Sequence, residues 1–154
     1  MVVKEVGWGF SAQDVKLLIE AGVSAIDVAG AGGTSWSQVE MFRAENANQA
    51  QIASSFVNWG IPTSDAINIV RGISGEMPII ASGGIRNGVE ITKCIAIGAN
   101  LCGLASPFLK AAKKSAEKTI EVIEVILAEV RICMFATGVQ KIKDLDESVL
   151  HSPK

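Results

Sequence analysis

The chain of 154 residues has no tyrosine and a single histidine, His151, in its terminal tail. With no other imidazole, a Ser-His-Asp triad or a histidine-built metal site within this chain is not expected, and no metal ligand is assigned. There are three cysteines, Cys94, Cys102 and Cys133, an odd number at spacings that match no zinc or redox motif. They read as buried, reduced thiols of a cytoplasmic protein. No apolar run is long enough to cross a membrane. Met1-Val2-Val3-Lys4-Glu5 lacks the features of a signal peptide. The formal net charge is −2 with no basic run, so nucleic acid is not an expected partner.

What the chain does have is alanine, isoleucine, valine and glycine, a composition that suits buried parallel strands in an α/β architecture. The length fits one domain over residues 1–154. Val2 to Gly7 reads as a first strand. Ser11 then caps a helix, with Asp14 at the capping-box offset and Ala21-Gly22 at its end. A second strand, Ser24 to Val28, runs into the glycine-rich Ala29-Gly30-Ala31-Gly32-Gly33-Thr34. The polar stretch from there to Pro62 has no clear period and reads as a lid; a helix at Trp36 would put Glu40 on the same face. Thr63 or Ser64 is expected to cap the next helix, whose stripe is Ala66, Ile67, Val70 and Ile73. A third strand starts at Pro78. Asn87 with Glu90 opens another helix, and Asn100 to Leu104 is the fourth strand. Ala111 to Ile132 reads as one long helix packed on the sheet, and 141–154 as a frayed tail. Four βα units in series make either a small open sheet or half of a (β/α)8 TIM barrel.

Two stretches stand out. Pro78-Ile79-Ile80-Ala81-Ser82-Gly83-Gly84-Ile85-Arg86 and Gly98 to Pro107 each run from an apolar strand into small residues and then a helix start. Small residues there admit a close approach to the backbone, and a helix N-terminus favours a phosphate. One phosphate held between two neighbouring exits is the arrangement after strands 7 and 8 of a barrel. A tight strand-to-helix turn accounts for Gly83-Gly84 equally simply. Likewise Lys4 reads as a snorkelling lysine, Trp36 as a packing residue and Glu40 as a solvated one.

Jointly, Val3-Lys4-Glu5-Val6-Gly7, Asp27-Val28 followed by Ala31-Gly32-Gly33-Thr34-Ser35-Trp36, Asn58-Trp59-Gly60-Ile61-Pro62-Thr63, Ala81-Ser82-Gly83-Gly84-Ile85-Arg86 and Met134-Phe135-Ala136-Thr137-Gly138 resemble type 2 isopentenyl-diphosphate isomerase. The resemblance runs from Val2 to about Leu145. It implies an FMN-dependent (β/α)8 barrel that interconverts isopentenyl and dimethylallyl diphosphate without net redox change. The flavin is reduced by NADPH, and Mg²⁺ is required. This chain would supply strands 5 to 8. The resemblance makes Lys4 the contact to the flavin ring and Thr34 a hydroxyl on FMN. Gly83, Gly84 and Arg86 with Ala105 and Ser106 would hold the phosphate. Trp36 and Glu40 would lie near substrate, as an aromatic face for developing positive charge and as an aid to proton transfer. The catalytic Gln, the Mg²⁺-binding Glu and the substrate's basic residues fall in the family's N-terminal half, which this sequence does not span. Other FMN barrels fit less well: there is no histidine after the second glycine-rich exit, and no cysteine in Gly32 to Trp36. An open half barrel is expected to associate with an N-terminal half or with a second copy as a homo-oligomer. The alternative is a non-catalytic module that binds FMN or phosphate, or only oligomerises.

Overall fold

Four short parallel strands carry the architecture of the computed structural model, which describes residues 1–151. They are β1 (Val2–Lys4), β2 (Ala25–Asp27), β3 (Ile79–Ala81) and β4 (Leu101–Cys102). Their order in the sheet is their order in the chain, β1-β2-β3-β4, all parallel. A doubly wound sheet reverses direction at a switch point. This one never does, so right-handed crossovers leave the helices that pack on the sheet on one face, as in an arc of a barrel.

The register sorts the side chains by face. Val3, Ile26 and Ile79 form one row, and Lys4, Asp27, Ile80 and Leu101 form the other. Successive strand residues point to opposite faces. The first row meets the helices: Ile26 and Ile79 are fully buried with Val15, Val28, Ile67 and Val70. Around these, Ala66, Met77, Ala81, Ile85, Cys94 and Ala99 complete the core. The second row faces the arc's concave side, where Leu101 is 62% exposed.

Helix α1 (Ala12–Glu20) starts at the Ser11/Asp14 capping box and ends at Ala21. Gly22 follows with φ +79°. Residues 34–62 contain two helices, α2 (Trp36–Arg43) and α3 (Ala47–Ser54), with Ser35 and Asn46 as side-chain N-caps. They pack on each other and bury none of their residues fully, which is why no periodic signal marks them. Helix α4 (Thr63–Ile73) is capped by neither expected hydroxyl. Pro62 is its N-cap, and Thr63 is buried inside the first turn. In α5 (Gly88–Ala96) the Asn87 side chain caps as expected, while the Glu90 carboxylate turns to the Arg86 N–H (2.6 Å).

The single long helix expected from Ala111 is two. Helix α6 (Ser106–Ala112) stops at Lys113, and α7 (Ala116–Thr137) restarts on Ser115, whose side chain caps it. Nor does α7 lie on the sheet: it packs on α5 and α6 and buries Ile126 and Val130. Its Glu129 accepts the Gly88 N–H at 2.6 Å, closing the start of α5. Ile120, Ile123, Val125, Leu127 and Ile132 stay exposed. Beyond it the chain forms two 3-10 turns, Ile142–Asp144 and Glu147–Val149, and buries Leu145. The end of the expected frayed tail, 152–154, lies outside the described residues. Of the three cysteines only Cys94 is buried, Cys102 and Cys133 are half-buried, and all three are free thiols. No described helix is long and apolar enough to cross a membrane.

Candidate functional site at the strand C-terminal ends

The C-terminal ends of all four strands open into one cleft of about 590 Å³. Of the residues singled out in the sequence, Lys4, Thr34, Trp36, Gly83, Gly84, Arg86, Ala105 and Ser106 line it. Glu40 does not. It lines a separate crevice with Arg43 and Gln49, between α2 and α3.

The floor is built by strand register. Lys4 ends β1 directly beside Asp27, the last residue of β2. Its Nζ donates to Asp27 Oδ2 at 2.9 Å and to Ser82 Oγ at 2.8 Å. The Ser82 hydroxyl in turn donates to Asp27 Oδ1 at 2.6 Å. Three side chains from three strand ends thus close a ring of hydrogen bonds. Asp27 and Ser82 are 8% and 9% exposed; a carboxylate so placed needs these partners. Asp27 Oδ1 also accepts the N–H of Ala29 at 3.2 Å. Ala29 has φ +35° and is the one non-glycine residue with positive φ among those described. Such strain persists only where the surroundings enforce it, and it concentrates at functional sites.

The walls are main chain. A Cβ on Gly83 would lie 2.1 Å from the Gly30 carbonyl oxygen, and one on Gly84 would lie 2.4 Å from that of Gly32. The exits of β2 and β3 are therefore packed backbone on backbone, and glycine is required by that protein–protein approach. Thr63 locks the junction from behind, donating through Oγ1 to the Gly83 carbonyl at 2.6 Å. Arg86 reaches across and donates to the Gly32 carbonyl at 3.0 Å. Among the described residues, no protein acceptor takes the main-chain N–H of Gly83, Gly84, Ala105 or Ser106. Free N–H donors beside a guanidinium suit an anion. These groups fit a flavin mononucleotide, whose phosphate needs such donors and whose ring edge accepts hydrogen bonds.

The rim is held by Glu5. One carboxylate oxygen accepts the N–H groups of Gly7 (2.7 Å), Trp8 (2.5 Å) and Gly9 (2.8 Å). Burial raises its pKa, but the donors at Gly7, Trp8, Val6 and Gly9 outweigh that and hold it below the usual 4.5. The loop so fixed offers the Val6 carbonyl to the Trp36 indole N–H at 2.7 Å. Trp36 is 47% exposed, with its ring at the cleft.

Asp27, Ser82, Glu5 and Thr63 were not singled out as site residues from the sequence alone. A signal existed for Asp27, a lone charge in the run Ala25-Ile26-Asp27-Val28. Its partner became evident only from the register.

Residues 1–152 match the FMN-dependent dehydrogenase family. Curated relatives include an isopentenyl-diphosphate delta-isomerase of Rickettsia peacockii, 52% identical over 94% of this chain and 42% of its own length. One from Rickettsia bellii is 48% identical over 97% of this chain and 44% of its own. The chain thus spans less than half the length of these relatives. Among solved structures, a soluble mutant of (S)-mandelate dehydrogenase from Pseudomonas putida superposes with a TM-score of 0.72 at 20% identity. That match covers 97% of this chain and 36% of the other. An L230A mutant of flavocytochrome b2 superposes at 0.65 and 20% identity, over 94% and 33%.

Proposed function

The chain belongs to the FMN-dependent dehydrogenase family, and from that premise we propose that it supplies the flavin-holding half of an isomerase interconverting isopentenyl and dimethylallyl diphosphate. The observation that carries this is the convergence of Lys4, the free N–H groups of Gly83 and Gly84, Arg86 and the start of α6 on one cleft. Relatives about 50% identical bear the name isopentenyl-diphosphate delta-isomerase.

In this proposal Gly83 and Gly84 donate main-chain N–H groups to the FMN phosphate, joined by Ala105 and Ser106 from β4's exit and by the Arg86 guanidinium. Lys4 supplies a fixed positive charge to the flavin ring, and the Thr34 hydroxyl a further hydrogen bond. Flavin bound there, once reduced by NADPH, would supply an electron-rich ring beside the five-carbon chain and would not be consumed, since the isomerisation has no net redox change. Trp36, held through its indole N–H, presents an aromatic face that favours positive charge on that chain and sheds water from it. Glu40 acts at one remove, on the helix that carries Trp36. Mg²⁺ and the substrate diphosphate are assigned to an N-terminal half of the barrel; a second copy of this chain would repeat the flavin-holding half and not supply them.

The test is an FMN titration of the protein, alone and with a separately produced complementary half. An assay for dimethylallyl diphosphate in the presence of NADPH and Mg²⁺ follows. Saturable FMN binding, with isomerisation only in the completed barrel, is expected. FMN binding without isomerisation in the completed barrel would favour the non-catalytic module. No FMN binding under either condition would overturn the proposal.

A further inference from the structure

We propose that Asp27, with Ser82, is the positioning device of the site: together they convert Lys4 from a mobile cation into a single, directed donor at the cleft floor. A lysine on an exposed strand end sweeps a large volume through its four rotatable bonds, and its ammonium carries three equivalent donors. Here two of those donors are committed, one to Asp27 Oδ2 and one to Ser82 Oγ, and the third is left for the cleft. Neither acceptor is free to follow the lysine. Asp27 is buried on β2, and its other oxygen is tied to Ser82 Oγ and the Ala29 N–H. Ser82 is buried on the exit of β3, and its proton is already given to Asp27. The ring has one consistent direction of donation: Lys4 to both partners, Ser82 to Asp27. The Lys4 side chain remains 58% exposed beside an Asp27 side chain at 11%. A free surface ion pair so open is worth little. The exposure is that of a donor reaching into an open site from a buried grip.

The grip can be read without any flavin, by the rate at which an amine-selective acylating reagent labels Lys4, resolved by peptide mass spectrometry. Lys118, in an exposed pair with Glu121, is the internal reference. In Asp27→Asn the Lys4 rate should rise about tenfold relative to Lys118, since a charge-assisted hydrogen bond is replaced by a weak neutral one. Ser82→Ala, which leaves Asp27 in place, should give a smaller rise of the same sign. A general loosening of the fold would raise the ratio in Gly22→Ala as well, a strained position away from the ring; there the ratio should stay unchanged. An unchanged ratio in both variants overturns the proposal.

The second readout rests on the proposed flavin site. Asp27→Asn should weaken FMN binding about tenfold in the otherwise native protein, and by less than about twofold in a Lys4→Met background, because its effect passes through Lys4. Equal weakening in both backgrounds overturns the positioning role. If the native protein binds no FMN, the proposed function fails, while the labelling ratio still decides what Asp27 does.

Discussion

Replacing Gly83 by alanine tests the claim that the cleft wall is built from two backbones in contact. Two penalties add. At φ +101° an L-residue is strained, by about 1–2 kcal/mol. The new Cβ also meets the Gly30 carbonyl oxygen at 2.1 Å and its nitrogen at 2.8 Å. Those are backbone atoms that cannot rotate away. Forcing atoms into a filled space costs about 1–3 kcal/mol, so the sum is about 2–5 kcal/mol. Gly22 is the control: its φ is +79°, but nothing lies within 4 Å of a Cβ there. Gly22→Ala carries only the first penalty, about 1 kcal/mol. Urea unfolding at about 2 kcal/mol per molar should move the Gly83→Ala midpoint down by about 1–2.5 M and the Gly22→Ala midpoint by about 0.5 M. Equal shifts in the two variants would refute the backbone contact, and with it the account of why glycine stands at 83.

Two further outcomes follow from the same geometry. Arg86→Ala should weaken FMN binding by about tenfold to a hundredfold, the worth of a charge-assisted contact, with Arg86→Lys restoring only part; flavin fluorescence quenching reads this, and unchanged affinity removes Arg86 from the phosphate site. Glu5→Gln should lower stability at pH 7 by about 1 kcal/mol, a charged-acceptor loss discounted for partial exposure. A carboxylate held below 4.5 in the folded protein contributes above its unfolded pKa and loses that contribution as the pH falls through the folded value. The gap between native protein and Glu5→Gln should therefore narrow as the pH falls below 4.5, as followed by urea unfolding at each pH.

Features that depend on local chemistry were legible in the sequence. Ser11 and Asp14 form the capping box that their spacing announced, and Asn87 caps α5. Of the stripe Ala66, Ile67, Val70 and Ile73, the first three are buried and Ile73 is half-buried against the core, since one apolar face per helix must find the sheet. The sequence marks Gly83 and Gly84 as a place of close approach, but the approaching group is Gly30 and Gly32 of the same chain. Features set by distant partners were not legible. The α2–α3 pair has no apolar stripe because it leans on itself and on side-chain caps. The gap at Lys113–Ser115 was hidden because apolar residues continue on both sides of it. Thr63 looked like a cap and is instead a bolt onto Gly83. Above all, the meeting of Lys4, Asp27 and Ser82 depends on parallel register between residues 23 and 78 positions apart, which no local pattern encodes.

The unbroken order of the sheet also bears on how the chain reaches its fold. Because each strand pairs with the one made just before it, every strand leaving a ribosome finds its neighbour already present, and no gap must be held open for a later segment. Loop closure then always joins neighbouring strands, the β2–β3 step being the longest, where a doubly wound sheet must insert late strands beside early ones. The helical excursion of α2 and α3 sits inside one such step, between β2 and β3, and returns through the Ala31–Pro62 bridge. Synthesis and folding can therefore advance in the same direction, with the lysine grip completed only when Ser82, the last of its three members, has emerged.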